Sequence, residues 1–301
     1  SEFWEPPYRS RRYHQLVREK GKVAPADADK LMLDAHSLQA EELVHALIRP
    51  NADKLKQAQG DIQVAVNYLL NWDFKCTTDS IAASVFHVFY DEVLAEVFGP
   101  ALGDEVYTMF LEGWNEHVDA VEAVLKNPAS AWFREKPRDA CVSDALARAV
   151  RRLERECGSA TQAWGWGKLH TLTLRHAFHA KAPLRKLVDV GPVPTAGSGT
   201  TINNGQWIAA HPFAQLAGAG FRHVADLADL GGGSRYVVPG GVSGNPASPH
   251  RDDLFKLWLE GRTVPMPMER SAVERAAKTK TRLAPPAPVS FSPESGEERA
   301  P

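Results

Sequence analysis

The first residues of the chain, Ser1-Glu2-Phe3-Trp4, carry groups that could perform nucleophilic catalysis. A free N-terminal serine can use its own α-amine as general base, because the unperturbed pKa of that amine is about 8. Two interpretations follow for Ser1: a processed nucleophile, or a residue that merely stands at the boundary of the sequence.

A basic run follows in Arg9-Ser10-Arg11-Arg12, at the start of a segment with helical character. A fixed guanidinium group can orient a reacting group and lower the pKa of a nearby amine. The alternative is a solvated, basic first turn of a helix.

Three histidines lie close together in sequence, at His170, His176 and His179, with Arg175 among them. In an extended strand His170 and His176 would share one face and His179 would point to the other. The positive charge of Arg175 disfavours a metal cation, and the chain between His170 and Asp189 holds no carboxylate that could orient a histidine ligand. We therefore expect hydrogen-bonding histidines in preference to a metal site.

Two further patterns suggest structure more than chemistry. Gly197-x-Gly199 lacks the third glycine and the strand–helix frame of a phosphate loop, and it predicts a turn. Cys76, Cys141 and Cys157 show no C-x-x-C spacing, and Cys141 and Cys157 flank one predicted helix. Buried free thiols are expected at all three positions.

Composition excludes several classes of partner. The 301 residues carry a formal net charge of -2, so neither nucleic acid nor an anionic membrane is favoured as a partner. No apolar run has the length of a membrane span. The first residues also lack the basic start and apolar core of a secretory signal.

The elements that must position these residues divide the chain in two. Apolar residues recur at helical spacing through residues 1–158, while period-two alternation and glycine-rich breaks mark residues 159–282. Residues 283–301 are rich in Pro, Ser, Glu and Ala and predict a disordered tail. The helices are expected at Arg11–Glu19, from Asp27 or Asp29 through Ile48, Ile62–Trp72, Asp79–Phe98, Glu105–Leu111, Val118–Leu125 and Ser143–Cys157. The strands are expected at Leu169–Leu174, Phe221–Leu227 and Arg235–Val238.

The most constrained stretch runs from Pro239 to Trp258. Its glycines and prolines force an irregular backbone, and an acidic pair, Asp252-Asp253, then opens a short helix. We expect His250 and this acidic pair to fix the turn into the helix.

This stretch resembles the C-terminal signature of the penicillin acylase family of N-terminal-nucleophile amidohydrolases. Other matches follow in family order and together cover almost the whole chain up to Glu274. They are Asp34-x-x-Ser37, Trp72-Asp73, Ser80-x-Ala82-Ala83, Trp132-Phe133, Trp164-Gly165-Trp166-Gly167-Lys168-Leu169-His170, Gly199-Thr200-Thr201-Ile202-Asn203-Asn204 and Phe221-Arg222-His223-Val224-Ala225-Asp226.

The resemblance implies an α+β fold, the C-terminal part of a four-layer αββα sandwich. It implies hydrolysis of the linear amide of a small acylated amine by an N-terminal serine, with an oxyanion-binding asparagine. Both groups, and the family's calcium ligands, would lie in upstream sequence outside this chain. The chain would then be part of the large subunit, inactive alone and completed by the rest of an autoproteolytic precursor.

The resemblance assigns one supporting catalytic residue here, Arg9, which matches an arginine that orients the serine amine and the substrate. Ser1 departs from the family pattern, because Glu2 replaces an asparagine and Pro6-Pro7 follows where a glycine-rich strand is expected. Family members are typically exported, which implies a periplasmic or secreted location. A degenerate, non-catalytic binding module of the same fold is the alternative.

Overall fold

The computed structural model describes residues 4–57, 60–113, 118–208 and 211–284. Ser1 and residues 285–301 of the expected tail lie outside the described residues. Helices fill the first half of the chain, and every strand lies in the second half of the part described here, which confirms the α+β class. The helices are α1 (Tyr8–Lys20), α2 (Pro25–Met32), α3 (Leu38–Leu43), α4 (Ala52–Lys56), α5 (Asp61–Leu70), α6 (Ile81–Glu112), α7 (Val118–Lys126), α8 (Arg138–Cys157), α9 (Arg185–Val188), α10 (Leu230–Gly233), α11 (Phe255–Leu259) and α12 (Arg270–Ala276).

The strands form small antiparallel sheets. In the described part of the chain, β1 pairs with β2, β3 with β4, and β5, β6 and β7 follow one another in a three-stranded sheet. The strands are β1 (Thr171–Leu174), β2 (Val190–Pro194), β3 (Gly205–Gln206), β4 (Ala217–Gly218), β5 (Arg222–Val224), β6 (Arg235–Val237) and β7 (Val264–Pro265).

The main core lies between α5, α6 and α8. Its apolar side chains are buried along the α6 face that includes Val85, Phe89 and Val93, and α8 covers them with Leu146 and Leu153. Polar residues at the margin add ion pairs between the two helices: Arg148 Nε lies 3.1 Å from Glu92, and Arg152 Nη1 lies 2.5 Å from Asp91. The periodicity that predicted these helices therefore also identified their buried faces.

The expected second helix, from Asp27 or Asp29 to Ile48, was wrong in extent. The chain leaves the helix at Leu33, and α3 begins only at Leu38, where the Ser37 hydroxyl accepts the Ala40 N–H at 3.1 Å. Asp27 lies inside the first turn of α2 and accepts the Ala24 N–H, so it is not the N-cap. Ser37, a residue type favoured at helix N-caps, was the sequence signal for a new helix start, and the apolar spacing did not reveal it.

The helices expected at Asp79–Phe98 and Glu105–Leu111 form one element, α6, with a break at Gly103. Gly103 takes φ 72°, a left-handed conformation that favours glycine. Sequence periodicity therefore predicted two separate helical arms correctly, because the backbone leaves the helical conformation at Gly103.

A buried loop of residues 195–204 joins the two halves. Gly197 takes φ 95°, and a Cβ there would lie 1.9 Å from the Asn203 carbonyl oxygen, so only glycine fits. The Trp166 indole donates to the Gly197 carbonyl at 2.9 Å, and the Gly197 N–H donates to Cys76 O at 2.8 Å. The turn expected at Gly197-x-Gly199 is thus a structural junction.

The glycine-rich stretch before α11 closes the second half. His250 Nδ1 lies 2.8 Å from Asp253 Oδ2, while Asp252 pairs with Arg251. The buried Trp258 of α11 donates its indole N–H to the Ala219 carbonyl at 2.8 Å. His250 and Asp253 are thus paired across the turn, but the expectation that the acidic pair opens the helix was wrong: Leu254 is the N-cap of α11, and its first turn holds no acidic residue.

All three cysteines are buried and carry free thiols, as expected. Cys141 and Cys157 both belong to α8, where sixteen residues separate them by about 24 Å along the helix axis.

Candidate functional site

Helix α1 places Arg9, the predicted site residue, in its first turn. Pro7 precedes the helix with φ -76°, close to the value that the proline ring imposes, and the Pro7 carbonyl accepts the Arg11 N–H at 2.9 Å. The helix ends at Gly21, whose φ of 75° suits glycine, with Arg18 and Lys20 in the last turn. Local sequence thus sets both ends of the element that carries Arg9.

The Arg9 guanidinium lies at the surface, with 38% of its side chain exposed, and forms an ion pair with Glu5 one turn earlier. Arg11 is also exposed and pairs with Glu42 at 2.6 Å. Arg9 is therefore accessible to a group outside the described residues. Its assigned role stays a prediction.

Tyr8, the residue before Arg9, is the one α1 residue that is fully buried. Its hydroxyl donates to Glu122 Oε2, and Gln39 Nε2 donates to Glu122 Oε1 at 2.9 Å. Lys126 Nζ, one turn further along α7, lies 3.1 Å from Glu122 Oε2. The first turn of α1 is therefore tied to α3 and α7 through a single buried carboxylate.

Burial raises the pKa of Glu122, and the hydrogen bonds from Tyr8 and Gln39 and the Lys126 charge oppose that rise. Burial also raises the pKa of the Tyr8 hydroxyl, together with its bond to Glu122. Lys126 has its own pKa raised by Glu42 and Glu122, against its desolvation. These groups form a hydrogen-bonded polar cluster next to the first turn of α1. We call it the Glu122 cluster (Tyr8, Gln39, Glu122 and Lys126).

The expectation that Arg12 belongs to a solvated basic surface was wrong. Only 15% of its side chain is exposed, and its Nε and Nη2 each lie 3.0 Å from a carboxylate oxygen of Asp34. Such a bidentate pair is among the stronger charge-assisted interactions. This pair fixes α1 to the segment before α3. The same segment is tied to the 195–204 loop, because the Asp34 carbonyl accepts the Asn203 N–H at 2.8 Å.

Sequence reasoning missed Glu122 altogether. The available signal was its position on the apolar face of α7, one turn after Val118 and one turn before Leu125 and Lys126. A carboxylate at such a position needs buried partners.

The three histidines do not come together. His170 is buried, stacks on Trp166 at 4.8 Å between ring centroids, and its Nδ1 lies 2.7 Å from the Phe213 carbonyl. His176 and His179 lie near the surface, where Asp189 accepts the His176 N–H at 3.0 Å and pairs with His179 Nδ1 at 2.5 Å. Within the described ranges no group of His, Cys, Asp and Glu side chains is arranged to hold a metal ion.

A second buried histidine completes the aromatic cluster around Trp166. His87 also stacks on Trp166, with 4.6 Å between the two ring centroids, and its Nε2 lies 3.6 Å from Cys76 Sγ. Burial lowers the pKa of His87 to about 3 and that of His170 to about 4. Both imidazoles are therefore neutral at physiological pH.

No helix among the described residues combines the length and the apolar character that crossing a bilayer requires.

Comparison with known proteins identifies the family. The family model described as penicillin amidase matches residues 1–275. The chain belongs to the penicillin amidase family. The resemblance carried by the ordered motifs is thereby confirmed.

Among the curated relatives in this family, the acyl-homoserine lactone acylase QuiP of Pseudomonas aeruginosa PAO1 is 26% identical over 309 residues, covering 91% of this chain and 36% of the relative. The penicillin acylase 2 proenzyme of Pseudomonas sp. SE83 is 28% identical over 300 residues, covering 93% of this chain and 36% of the relative. The chain thus spans about a third of the length of these relatives.

A thermostable penicillin G acylase from Alcaligenes faecalis, solved in an orthorhombic form, is similar at 20% identity with a TM-score of 0.43. The alignment covers 80% of this chain and 46% of that structure.

Proposed function

We propose that this chain is the C-terminal part of the large subunit of an amidohydrolase that cleaves the linear amide of a small acylated amine. The observation that supports the proposal is the penicillin amidase match over residues 1–275, in a chain that spans only 36% of its acylase relatives. The nucleophilic serine and the oxyanion-binding asparagine would come from the remainder of a self-processing precursor. A periplasmic or secreted location belongs to the same proposal.

Within that enzyme, Arg9 would orient the α-amine of the serine and the substrate carbonyl. An accessible guanidinium can donate to the substrate carbonyl, and its charge lowers the pKa of a nearby amine, which keeps that amine neutral and able to accept the serine proton. The Glu122 cluster would keep the Arg9 backbone in place, because the hydroxyl of the adjacent Tyr8 is bonded to the buried Glu122. Arg9 is thus the catalytic candidate, and Tyr8 and Glu122 are positioning residues.

The test is a pair of matched substitutions, Arg9→Lys and Arg11→Lys, in the longer precursor after processing. Both arginines lie in the first turn of α1 and have exposed side chains. Arg9→Lys is expected to lower kcat/KM for an acyl-anilide by about 10- to 100-fold, less than the outright removal of a positioned donor, because lysine keeps the charge but not the planar fork. Arg11→Lys is expected to stay within about 2-fold, because its partner Glu42 is a surface group.

Equal, small effects of the two substitutions would remove Arg9 from the site. Sequencing the DNA upstream separates the main proposal from a non-catalytic module. A reading frame that continues into a Gly-Ser-Asn-like junction supports the amidohydrolase, and a start codon directly before this chain contradicts it.

A further inference from the structure

Arg222, the first residue of β5, lies in the wall of a cavity of about 270 Å³ between the 195–204 loop and α11. Only 4% of the arginine is exposed. The cavity has a mixed lining. Its neutral polar residues are Thr78, Thr195, Asn203, Asn204 and Gln215, and its apolar residues are Pro194, Ala196, Trp258 and Leu259.

The contacts of the Arg222 guanidinium are all to neutral groups. Its Nη2 donates to Asn203 Oδ1 at 2.9 Å, and its Nη1 donates to the Trp258 carbonyl. Its central carbon lies 4.3 Å from the centroid of the Trp258 ring. The Nε atom is buried and has no hydrogen-bond partner among the described residues.

The charge of Arg222 is therefore not neutralised by the described residues, none of which forms an ion pair with it. Arg12 and Arg152, the comparable partly buried arginines, each pair with an aspartate, Asp34 and Asp91. Burial lowers the pKa of Arg222 to about 10, so the group is still cationic at neutral pH. A buried cation with only neutral partners bears a desolvation cost that a counter-ion would offset.

A purely structural role explains part of this arrangement. The guanidinium lies at the C-terminal end of α11, where a cation is favourable, and it stacks on an indole. Neither contact supplies a negative charge, and the cavity beside the guanidinium is several times larger than the roughly 30 Å³ of one water. The remaining requirement is an acceptor that carries a negative charge.

We propose that Arg222 binds a carboxylate group in this cavity. A carboxylate matches the planar guanidinium, and the Asn, Gln and Thr side chains that line the cavity are suited to hydrogen-bond it. The group has two sources, a side chain from another part of a longer protein or a free small carboxylic acid. This inference is independent of the amidase activity and of Arg9.

The test uses the 301-residue chain, acetate as the probe and the ¹⁵N-labelled Nε–H resonance of Arg222 as the readout. The resonance is assigned by its disappearance in Arg222→Met. Acetate at pH 7 is expected to shift it saturably, while chloride at equal ionic strength does not. No saturable shift overturns the proposal, and an equal response to chloride overturns the assignment to a carboxylate.

Asn203→Asp supplies a second, internal test, because it places a carboxylate beside Nη2. We expect this variant to raise the melting temperature by about 2 °C and to abolish the acetate response. The surface variant Arg262→Met is the control and is expected to retain that response, since 67% of the Arg262 side chain is exposed. A lower melting temperature in Asn203→Asp with an unchanged acetate response contradicts the site.

The source of the carboxylate is resolved by repeating the titration in the longer precursor. A retained response identifies a site for a free carboxylate. A lost response, with the Nε–H resonance already shifted, identifies a carboxylate of the precursor itself. Activity is not the readout, so failure here leaves the proposed amidase function untouched.

Discussion

The hydroxyl of Thr200 donates a hydrogen bond of 3.0 Å to the side-chain oxygen of Gln39, and both residues are buried. Gln39 uses its amide nitrogen to reach Glu122, which in turn accepts the Tyr8 hydroxyl. A continuous polar path therefore runs from the loop between the two halves to the first turn of α1. Such a path stabilises the fold only while each member is satisfied.

Glu122→Ala is expected to destabilise the chain by about 3 kcal/mol, because it leaves the buried donors of Tyr8 and Gln39 without their acceptor. Glu105→Ala is the control, an exposed glutamate in the helix α6. It is expected to change the free energy of unfolding by less than about 0.5 kcal/mol. Urea denaturation followed by circular dichroism measures both values, and similar midpoints would mean that Glu122 does not organise this cluster.

Stability is expected to fall as the pH drops below about 6.5, the ordinary pKa of a histidine. The folded pKa values of His87 and His170 are about 3 and about 4, so the unfolded chain binds more protons between those values and 6.5. Each histidine then contributes a loss of about 2 kcal/mol between pH 6.5 and pH 5. Urea denaturation at a series of pH values measures this slope.

The assignment of the slope is checked with His170→Gln, which is expected to reduce it by about half whatever its effect on stability at pH 7. His250→Gln is the control, because 65% of the His250 side chain is exposed. An unchanged slope in His170→Gln would show that another group is responsible.

Gly241→Ala is expected to destabilise the fold by about 2 kcal/mol or more, as overpacking does. A Cβ at this position would lie 2.1 Å from the His250 carbonyl oxygen, part of the turn into α11. Gly244, in the same stretch, has nothing within 4 Å of such a Cβ. Thermal unfolding should therefore show a clear loss for Gly241→Ala and almost none for Gly244→Ala, and equal losses would refute the steric argument.

The purified chain alone is expected to lack amidase activity, because the proposed nucleophile and oxyanion groups come from other sequence. The measurement is release of the chromophore from an acyl-anilide, with the Ser1→Ala variant alongside. An appreciable rate that disappears in Ser1→Ala would make Ser1 a true nucleophile.

Much of the fold was predictable because its helices bury regular apolar stripes. Val85, Phe89 and Val93 recur four residues apart, and all three face the core between α6 and α8. The break between α2 and α3 was not predictable from apolar spacing, since apolar residues recur on both sides of it, at Leu33 and at Leu38. A polar cap at Ser37 overrides the apolar pattern.

The site was less predictable, because its polar partners are remote in sequence. Arg12 pairs with Asp34, which lies beyond α2 in the chain. Tyr8 bonds to Glu122 in a different helix, more than a hundred residues away. Residue type alone could not separate the buried Arg12 from the exposed Arg9 and Arg11. The ordered motifs identified the family because the order of motifs along the chain can be read without knowing such geometry.

The 195–204 loop is hydrogen-bonded to the helical half, although it follows β2 in the chain. It donates the Asn203 N–H to the Asp34 carbonyl, the Thr200 hydroxyl to the Gln39 side chain and the Gly197 N–H to the Cys76 carbonyl. A chimera that exchanged segments with a relative between β1 and this loop would separate donors from acceptors that have adapted to each other. A crossover after Gly205 keeps these three bonds within one parent, although it divides the bond from Arg222 to Asn203.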